Sequence, residues 1–201
     1  MDNSVTTELS EHIGSKLTGL VQSTELVNDE LVLHTSVKSI EKLLKFLKDD
    51  IQCKFEILLD ICGVDYPERD SRFEVVYHLL SISNNQRVRV KVPLKEGEAI
   101  PSVASMYSSA GWFEREAWDL FGIFFEGNQD LRRILNDYGF DGHPLRKDFP
   151  LSGFVELRYD DEQKRVVYEP VKLTQEFRRF DFMSPWEGAD YILPGDEKVE
   201  D

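Results

Sequence analysis

The sequence predicts an α+β protein with a largely antiparallel sheet, helices packed on one side of it, a later β-hairpin and an extended C-terminal tail. Two observations predict this class. Apolar residues recur at helical spacing early in the chain, and segments rich in β-branched and aromatic residues then fill residues 54–94. With 201 residues, 41% of them hydrophobic, the chain suits one core rather than two. We expect a globular domain at 1–150, a hairpin at 151–170 and a partner-binding tail at 171–201.

The first part of the chain is predicted to run helix, strand, helix. Thr6 and Thr7 can cap an opening helix, and Asn28-Asp29 suits the turn before a strand. The predicted elements are a helix with Leu9, Ile13, Leu17 and Leu20 on one face, a strand at Glu30–Thr35, and an amphipathic helix from Ser36 to about Asp50.

Strands and two more helices are predicted next. In "RVRVKVPL", residues 87–94, charged and apolar residues alternate, so one face of this strand is predicted to be exposed to solvent and the other buried. Ser83–Gln86 is predicted to join this strand to the preceding one at 72–83 as a hairpin loop. Pro101 is predicted to open a short helix, because a missing N–H costs nothing in a first turn, and a second helix follows from Trp112.

The last quarter of the chain changes character. Residues 154–170 predict a hairpin whose turn is Asp160–Lys164. From Val171 onwards, aromatic residues lie among charges without a sustained period, so this segment cannot easily build its own core. It is expected either to be disordered or to lie along another surface.

Composition excludes several classes of function. A net charge of −14 argues against nucleic-acid binding, which needs a basic footprint. No run approaches the roughly 18 apolar residues of a membrane span, and the acidic N-terminus does not resemble a signal or transit peptide. Cys53 and Cys62 form no C-x-x-C motif, so no zinc or iron–sulfur site is predicted. Buried free thiols in a reducing compartment are the simpler interpretation.

A helix crowded with charge stands out at residues 112–121. On a helical wheel, one face is apolar and Glu114 and Glu116 flank it. Arg115 and Asp119 lie opposite, four residues apart, and are predicted to form an outward ion pair. Two interpretations stay open: an ordinary amphipathic helix with solvated charges, or flanking carboxylates that accept hydrogen bonds from buried neighbours or a partner.

The loop after this helix concentrates positive charge in four residues: Arg132, Arg133, Arg146 and Lys147. Internal pairing with neighbouring aspartates is one interpretation and a phosphate cradle is another. The absence of glycine-rich phosphate motifs disfavours the second. A docking surface for an acidic partner is the third, with Tyr138, Phe140 and Phe149 as anchors.

Catalytic and metal-binding residues are not predicted. The histidines are scattered, and no G-x-S-x-G elbow occurs. A free-standing enzyme or small-ligand binder would need Glu114, Glu116 and His143 to converge in one pocket as acid–base groups. A transiently bound assembly chaperone is a further class of function that stays open.

Two adjacent stretches carry a family resemblance. "EREAWDLFGIFFEGNQDLRRIL", residues 114–135, followed by "NDYGFDGHPLRKDFPLSG", residues 136–153, resembles the C-type, thirty-kilodalton subunit of respiratory complex I, the NADH:quinone oxidoreductase. The hairpin and tail resemble the same family's C-terminal segment. Where the family commonly has a His, often followed by Pro, this chain has Asn128-Gln129, and Asn keeps a hydrogen-bonding tip.

The resemblance implies a non-redox structural subunit of the peripheral arm, without an autonomous active site, that supports electron transfer from NADH to quinone in a proton-pumping complex. It would dock on the D-type subunit, which helps form the quinone pocket with the B-type subunit. FMN, iron–sulfur clusters and quinone are expected in other subunits.

The resemblance also implies a place in the cell. That place is the cytoplasmic side of a bacterial inner membrane, or the matrix side of a mitochondrial one, with membrane association only through the complex. The residues expected at the partner interface are Glu114, Arg115, Glu116, Asp119, Arg132, Arg133, Tyr138, His143, Arg146, Lys147, Phe182 and Trp186.

Overall fold

The computed structural model of the protein describes residues 3–28 and 30–175, with side chains from Thr6 onwards. The protein divides into two compact units, residues 1–153 and 154–201. The helices of the first unit are α1 (Asn3–Lys16), α2 (Ile40–Asp49) and α3 (Ala110–Phe121). Its strands are β1 (Val21–Val27), β2 (Glu30–Thr35), β3 (Ile57–Asp65), β4 (Phe73–Ser81), β5 (Gln86–Leu94), β6 (Ala99–Pro101) and β7 (Phe124–Glu126). The second unit contributes β8 (Val155–Asp160) and β9 (Arg165–Pro170).

A five-stranded sheet organises the first unit, in the order β1-β2-β5-β4-β3. Only β2 and β5 pair in parallel within this sheet, and its other neighbours are antiparallel. The predicted α+β class with a largely antiparallel sheet is therefore confirmed. β6 and β7 form a separate parallel pair at the two ends of the segment that contains α3.

One hydrophobic core joins the helices to one face of this sheet. The alternation predicted in β5 is confirmed, because Val88, Val90 and Val92 are buried while the residues between them carry charge. α1 contributes Ile13 to the same core and α2 contributes Leu43. Each fully buried side chain of this size contributes about 1.5–3 kcal/mol relative to exposure.

Strand β1 was not predicted from the sequence. Six of its seven residues are exposed, so no apolar face marks it out. It forms a hairpin with β2, and Asn28 in the turn adopts a left-handed backbone with φ 51°. Asn tolerates that region better than most residues, in agreement with the predicted turn.

Pro101 does not open a helix as predicted. It is the last residue of β6 and lies opposite Glu126 of β7. The next hydrogen bond runs from the Ser102 N–H to the Glu126 carbonyl at 2.8 Å, so the pairing takes no donor from the proline. Helix starts also differ: α1 begins before Thr6, and α2 begins at Ile40.

The second unit begins with the predicted hairpin. β8 and β9 are antiparallel, and their turn is stabilised by Asp160 Oδ1, which accepts N–H bonds from Glu162 at 2.9 Å and Gln163 at 3.1 Å. The predicted tail lies outside the described residues beyond residue 175. Within the described part of the protein, no helix has both the length and the apolar character needed to span a membrane.

Candidate interface site around helix α3

Helix α3 packs along β3, the edge strand of the sheet. Gly63 of β3 makes the close approach possible, because a Cβ there would lie 2.9 Å from both Phe121 Cδ2 and Ile123 Cδ1. The helix thus packs closely against this strand. Its remaining faces are available to the segments on either side of it in sequence.

Glu114 of α3 is fully buried, and its carboxylate is hydrogen-bonded. Its carboxylate accepts hydrogen bonds of 2.7 Å from the Val103 N–H, the Ser102 hydroxyl and the Asn128 side-chain amide. A buried carboxylate without such donors would be costly. The interpretation that flanking carboxylates accept bonds from buried neighbours is therefore confirmed for Glu114. Asn128 supplies the hydrogen-bonding tip expected of it.

Arg115 is also buried, and it binds the loop that follows the helix. Its guanidinium donates to the Arg132 carbonyl at 3.2 Å and to the Arg133 carbonyl at 2.9 Å. It also lies 3.8 Å from the Asp130 carboxylate and 5.2 Å from the centre of the Trp112 ring. A single side chain thereby fixes the start of the 127–149 loop against α3.

Asp119 is the strongest acceptor in the site and is fully buried. Its Oδ2 accepts the backbone N–H groups of Ile134, Leu135 and Asn136 at 2.8–3.0 Å. Its Oδ1 accepts Arg133 Nη1 at 2.8 Å and the Asn136 side-chain amide at 2.9 Å. Burial opposes ionisation, but the N–H of Asn136 and the guanidinium of Arg133 outweigh it, so the pKa of Asp119 is lowered.

The predicted outward ion pair between Arg115 and Asp119 is wrong. Both residues lie on the face that the 127–149 loop covers, and each has partners in that loop. Asp119 pairs with Arg133 rather than with Arg115. Helical spacing predicts which side chains are neighbours on an isolated helix, but it does not predict that a loop from later in the sequence packs over them.

The last carbonyls of α3 are capped by the same loop. Those of residues 119–121 accept, in order, His143 Nδ1 at 2.9 Å, the Leu145 N–H at 3.1 Å and Arg146 Nε at 2.6 Å. A cation here also complements the negative end of the helix dipole. Gly122 ends the helix with φ 76°, and a Cβ on it would lie 2.5 Å from Arg146 Nη2.

A second anchor ties the far end of the loop to the sheet. Asp65, at the end of β3, accepts Arg72 Nε at 2.8 Å, Arg72 Nη2 at 3.0 Å and the Lys147 N–H at 2.7 Å. The hydrogen bonds from Arg72 are the main reason that the pKa of Asp65 is lowered. Arg72 also pairs with Glu96 at 3.2 Å and Asp148 at 3.0 Å. The loop is thus held at both ends by buried or half-buried charge.

The twelve predicted interface residues therefore occupy different environments. Four have buried or half-buried side chains bonded to other parts of the same unit: Glu114, Arg115, Asp119 and Arg133. Three more are half-buried: Glu116, His143 and Arg146, and the last two also bond to carbonyls at the end of α3. Three are exposed: Arg132, Tyr138 and Lys147. Two lie outside the described residues: Phe182 and Trp186.

A role in docking stays a prediction for all twelve residues. For Glu114 and Asp119 such a role would be indirect, because both side chains are fully buried and can only fix the conformation of the loop, not contact a partner. The exposed apolar residues of this region are better placed for direct contact. Tyr138 is 74% exposed, and its hydroxyl accepts Arg132 Nη1 at 3.2 Å. Trp112 was not among the predicted residues, although it is 64% exposed.

The acid–base groups of the alternative enzyme hypothesis do not share partners. Glu114 bonds to the segment after β6, and His143 bonds to the carbonyl of Asp119. Glu116 instead lines a pocket beside Asp60 of β3. Neither Glu114 nor His143 lines that pocket, so its geometry gives no support to an acid–base site built from these three residues.

One group of potential metal ligands was missed by sequence spacing. His12, Asp50 and Cys53 have ligand atoms within 4.8 Å of one another, although α1 and the end of α2 contribute them. Asp50 Oδ1 accepts N–H bonds from Gln52 at 2.9 Å and Cys53 at 3.2 Å, and lies 3.1 Å from His12 Nε2. Burial, followed by the charge of Asp50, raises the pKa of the Cys53 thiol to about 12. Hydrogen bonds to Asp50 Oδ1 join these three residues in the structure.

Comparison with known proteins identifies close relatives. Residues 33–155 match the family described as the 30 kDa subunit of respiratory-chain NADH dehydrogenase. The sequence is 61% identical over 193 residues to the C-type subunit of NADH-quinone oxidoreductase from Sinorhizobium medicae, and the match spans 96% of each protein. It is 60% identical over 200 residues to the subunit of that name from Parvibaculum lavamentivorans, and that match spans 100% of both proteins. A solved structure of a trypsin-resistant fragment of Nqo5 is similar with a TM-score of 0.55 at 30% identity, covering 63% of this protein and 99% of the fragment.

Proposed function

This chain belongs to the family of 30 kDa subunits of respiratory-chain NADH dehydrogenase, complex I, and from that membership we propose that it is a non-redox docking subunit of the peripheral arm. Its partners are other subunits of the complex. The proposal names the D-type subunit as the docking partner, with the quinone pocket formed by the D-type and B-type subunits. It places the protein on the cytoplasmic side of a bacterial inner membrane, held there through the complex.

The exposed apolar face of the β8–β9 hairpin carries this proposal. Residues at alternate positions of each strand share one face, and cross-strand pairing brings Leu157 opposite Tyr168 and Tyr159 opposite Val166. With Val155, these side chains are between 54% and 68% exposed. The opposite face carries paired charges, including Arg158 and Glu169 at 2.9 Å.

Such a hairpin is poorly suited to stand alone. A two-stranded ribbon is marginally stable in water, and contiguous exposed apolar surface marks sites of association. Burying a side chain the size of Leu157 or Tyr168 against a partner contributes about 1.5–3 kcal/mol. We infer that the segment carrying β8 and β9 gains its stability from the neighbouring subunit.

The chemistry of the sequence supports a non-redox role. Iron–sulfur clusters are held by several thiolates, whereas this protein has two cysteines. Burial, together with nearby carboxylates, raises the pKa of Cys53 to about 12 and that of Cys62 to about 11. Neither thiol is therefore poised as a thiolate near neutral pH.

The test is co-purification of the protein with the D-type subunit. Replacing the cross-strand pair in Leu157→Ala/Tyr168→Ala removes apolar surface from the proposed interface, and we expect at least a ten-fold loss of recovered partner. The control Asp161→Ala/Glu162→Ala changes two exposed residues at the turn, outside that face. Recovery of the D-type subunit at wild-type stoichiometry with the Leu157→Ala/Tyr168→Ala variant would contradict the proposal.

A further inference from the structure

A small amphipathic pocket opens between β3 and α3. Its volume is about 220 Å³, below the roughly 300–1,000 Å³ typical of sites for drug-sized ligands. The apolar part of its lining comes from the two elements and from the 127–149 loop: Ile61, Ala117, Leu120, Phe121 and Leu145. Two carboxylates, Asp60 and Glu116, and the thiol of Cys62 complete it. The pocket therefore combines an apolar wall with concentrated negative charge.

The two carboxylates reach the pocket from different elements. Asp60 belongs to β3 and Glu116 belongs to α3, and both are half-buried. Neither forms an ion pair with another side chain in the described part of the protein. Both carboxylates act on the Cys62 thiol. Burial is the main reason that the pKa of this thiol is raised to about 11, and the charge of Asp60 and, to a lesser extent, that of Glu116 raise it further.

This combination selects the chemistry of the occupant. An anionic group is repelled, and a purely apolar group would remove water from two carboxylates without replacing their hydrogen bonds. A Lys or Arg side chain satisfies both halves of the pocket, because its methylene stem lies on apolar surface while its charged head meets the carboxylates. Leu145, which lines the pocket and is partly exposed, can exclude water around such a contact.

We propose that the pocket lined by Asp60 and Glu116 receives a Lys or Arg side chain of a neighbouring subunit. This inference rests on the proposed docking function, and it assigns a second contact surface to the first unit of the protein, separate from the β8–β9 hairpin. α3 has two roles in this arrangement. Its loop-facing side holds charges that are satisfied inside the unit, and its β3-facing side offers the carboxylate of Glu116, beside Asp60 of β3, to a partner.

Dissociation of the protein from the assembled complex provides the test. The variant Asp60→Asn/Glu116→Gln keeps side-chain volume and removes both charges. The matched control Glu68→Gln/Asp70→Asn makes the same change in net charge in an exposed turn. Purified complex is diluted into buffers of increasing KCl, and the amount of this subunit remaining on the complex is followed by native electrophoresis and mass spectrometry.

We expect the pocket variant to leave the complex about ten-fold faster than wild type at low salt, because a desolvated charge pair acts mainly on the dissociation rate. Its rate is also expected to depend less on KCl, since the screened ionic interaction is gone. The control is expected to behave as wild type. Equal rates and equal salt dependence for the pocket variant and the control would overturn the proposal.

A charge-preserving variant separates electrostatics from a folding defect. Asp60→Glu/Glu116→Asp keeps both negative charges and is expected to retain a salt-dependent, near-wild-type rate. If it is lost as fast as Asp60→Asn/Glu116→Gln, the charges are not the determinant and the proposal fails. The two experiments test separate proposals. A negative result for the hairpin variant in co-purification would contradict the docking function itself, whereas a negative result for the pocket variant in dissociation would contradict only the contact at Asp60 and Glu116.

Discussion

Replacement of Asp119 by Asn tests whether the buried charge of α3 holds the 127–149 loop. The substitution keeps the shape of the side chain and removes its charge. The remaining amide oxygen can serve the three backbone N–H groups of residues 134–136, but the new NH₂ then faces Arg133 Nη1 and the Asn136 amide, which are both donors. At least two of the five hydrogen bonds to the carboxylate are lost, and the one from Arg133 is also an ion pair.

The expected magnitude follows from these contacts. Hydrogen bonds to charged groups contribute about 1.5–3 kcal/mol, and removing one partner of a buried ion pair costs about 3–5 kcal/mol. Arg133 keeps bonds of 2.9–3.0 Å to the carbonyls of Phe140 and Gly142, which favours the lower end. We expect Asp119→Asn to lower the free energy of unfolding by about 3 kcal/mol, or roughly 6–12 °C in Tm for a protein of this size.

The pH dependence of this effect has a defined sign. The pKa of Asp119 is lowered in the folded state, so its stabilising contribution is complete above its unfolded pKa of about 3.9 and is lost as pH falls through the folded pKa. The full difference between wild type and Asp119→Asn is therefore expected at neutral pH. It narrows in strong acid, where the wild-type carboxylate also becomes protonated.

Two assays follow the global and the local effect. Urea denaturation monitored by circular dichroism measures the free energy of unfolding, and limited trypsin digestion measures cleavage after Arg132, Arg133 and Lys147 in the loop. Asp141→Asn, an exposed aspartate in the same loop, is the control. If Asp119→Asn matches that control in both unfolding midpoint and loop cleavage, the buried charge does not hold the loop.

Two further predictions concern the end of α3. Gly122→Ala is expected to destabilise the protein by about 2 kcal/mol, because a φ of 76° is strained for Ala and because the new Cβ would clash with Arg146 Nη2. Gly127→Ala, at a φ of 87° with open space around it, measures the cost of the backbone strain without a clash. Equal urea midpoints for the two variants would refute a contribution from the clash. Burial is the main reason that the pKa of His143 is lowered, so its neutral form is favoured in the fold and stability is expected to fall as pH drops below about 6.5. His143→Asn, which keeps a donor for the Asp119 carbonyl, should reduce that slope in urea titrations between about pH 5 and pH 7.5, and an unchanged slope would exclude His143 as its source.

Local patterns predicted the elements whose burial repeats along the sequence. β5 alternates charge and valine, and Leu43 and Leu47 of α2 follow a helical period, so both were found from spacing alone. β1 was missed because its pairing with β2 buries almost none of its side chains. Pro101 was misassigned because a proline is equally acceptable at a helix start and at the end of a short strand.

The candidate site was predictable in composition but not in connectivity. The density of charge around Glu114 and Asp119 indicated that these carboxylates need partners, and they have them. The partners of Asp119 lie 14–17 residues away in a loop without regular structure, so no periodicity predicts them. The Asp60–Glu116 pocket joins residues that are still farther apart in sequence, and only the packing of α3 on β3 creates it.

The distribution of charge around α3 bears on how the protein meets its partners. Buried ion pairs add little net stability over apolar packing, but breaking one is costly, so such pairs restrict a loop to a single arrangement. The Asp119–Arg133 pair is used in this way, whereas large apolar side chains stay exposed at Tyr138 in the 127–149 loop and at Leu157 and Tyr168 in the hairpin. Contacts of that kind are insensitive to salt, whereas a contact at Asp60 and Glu116 is screened by it. We infer that the apolar surfaces supply most of the affinity for the neighbouring subunit, and that the pocket sets the register in which the two subunits meet.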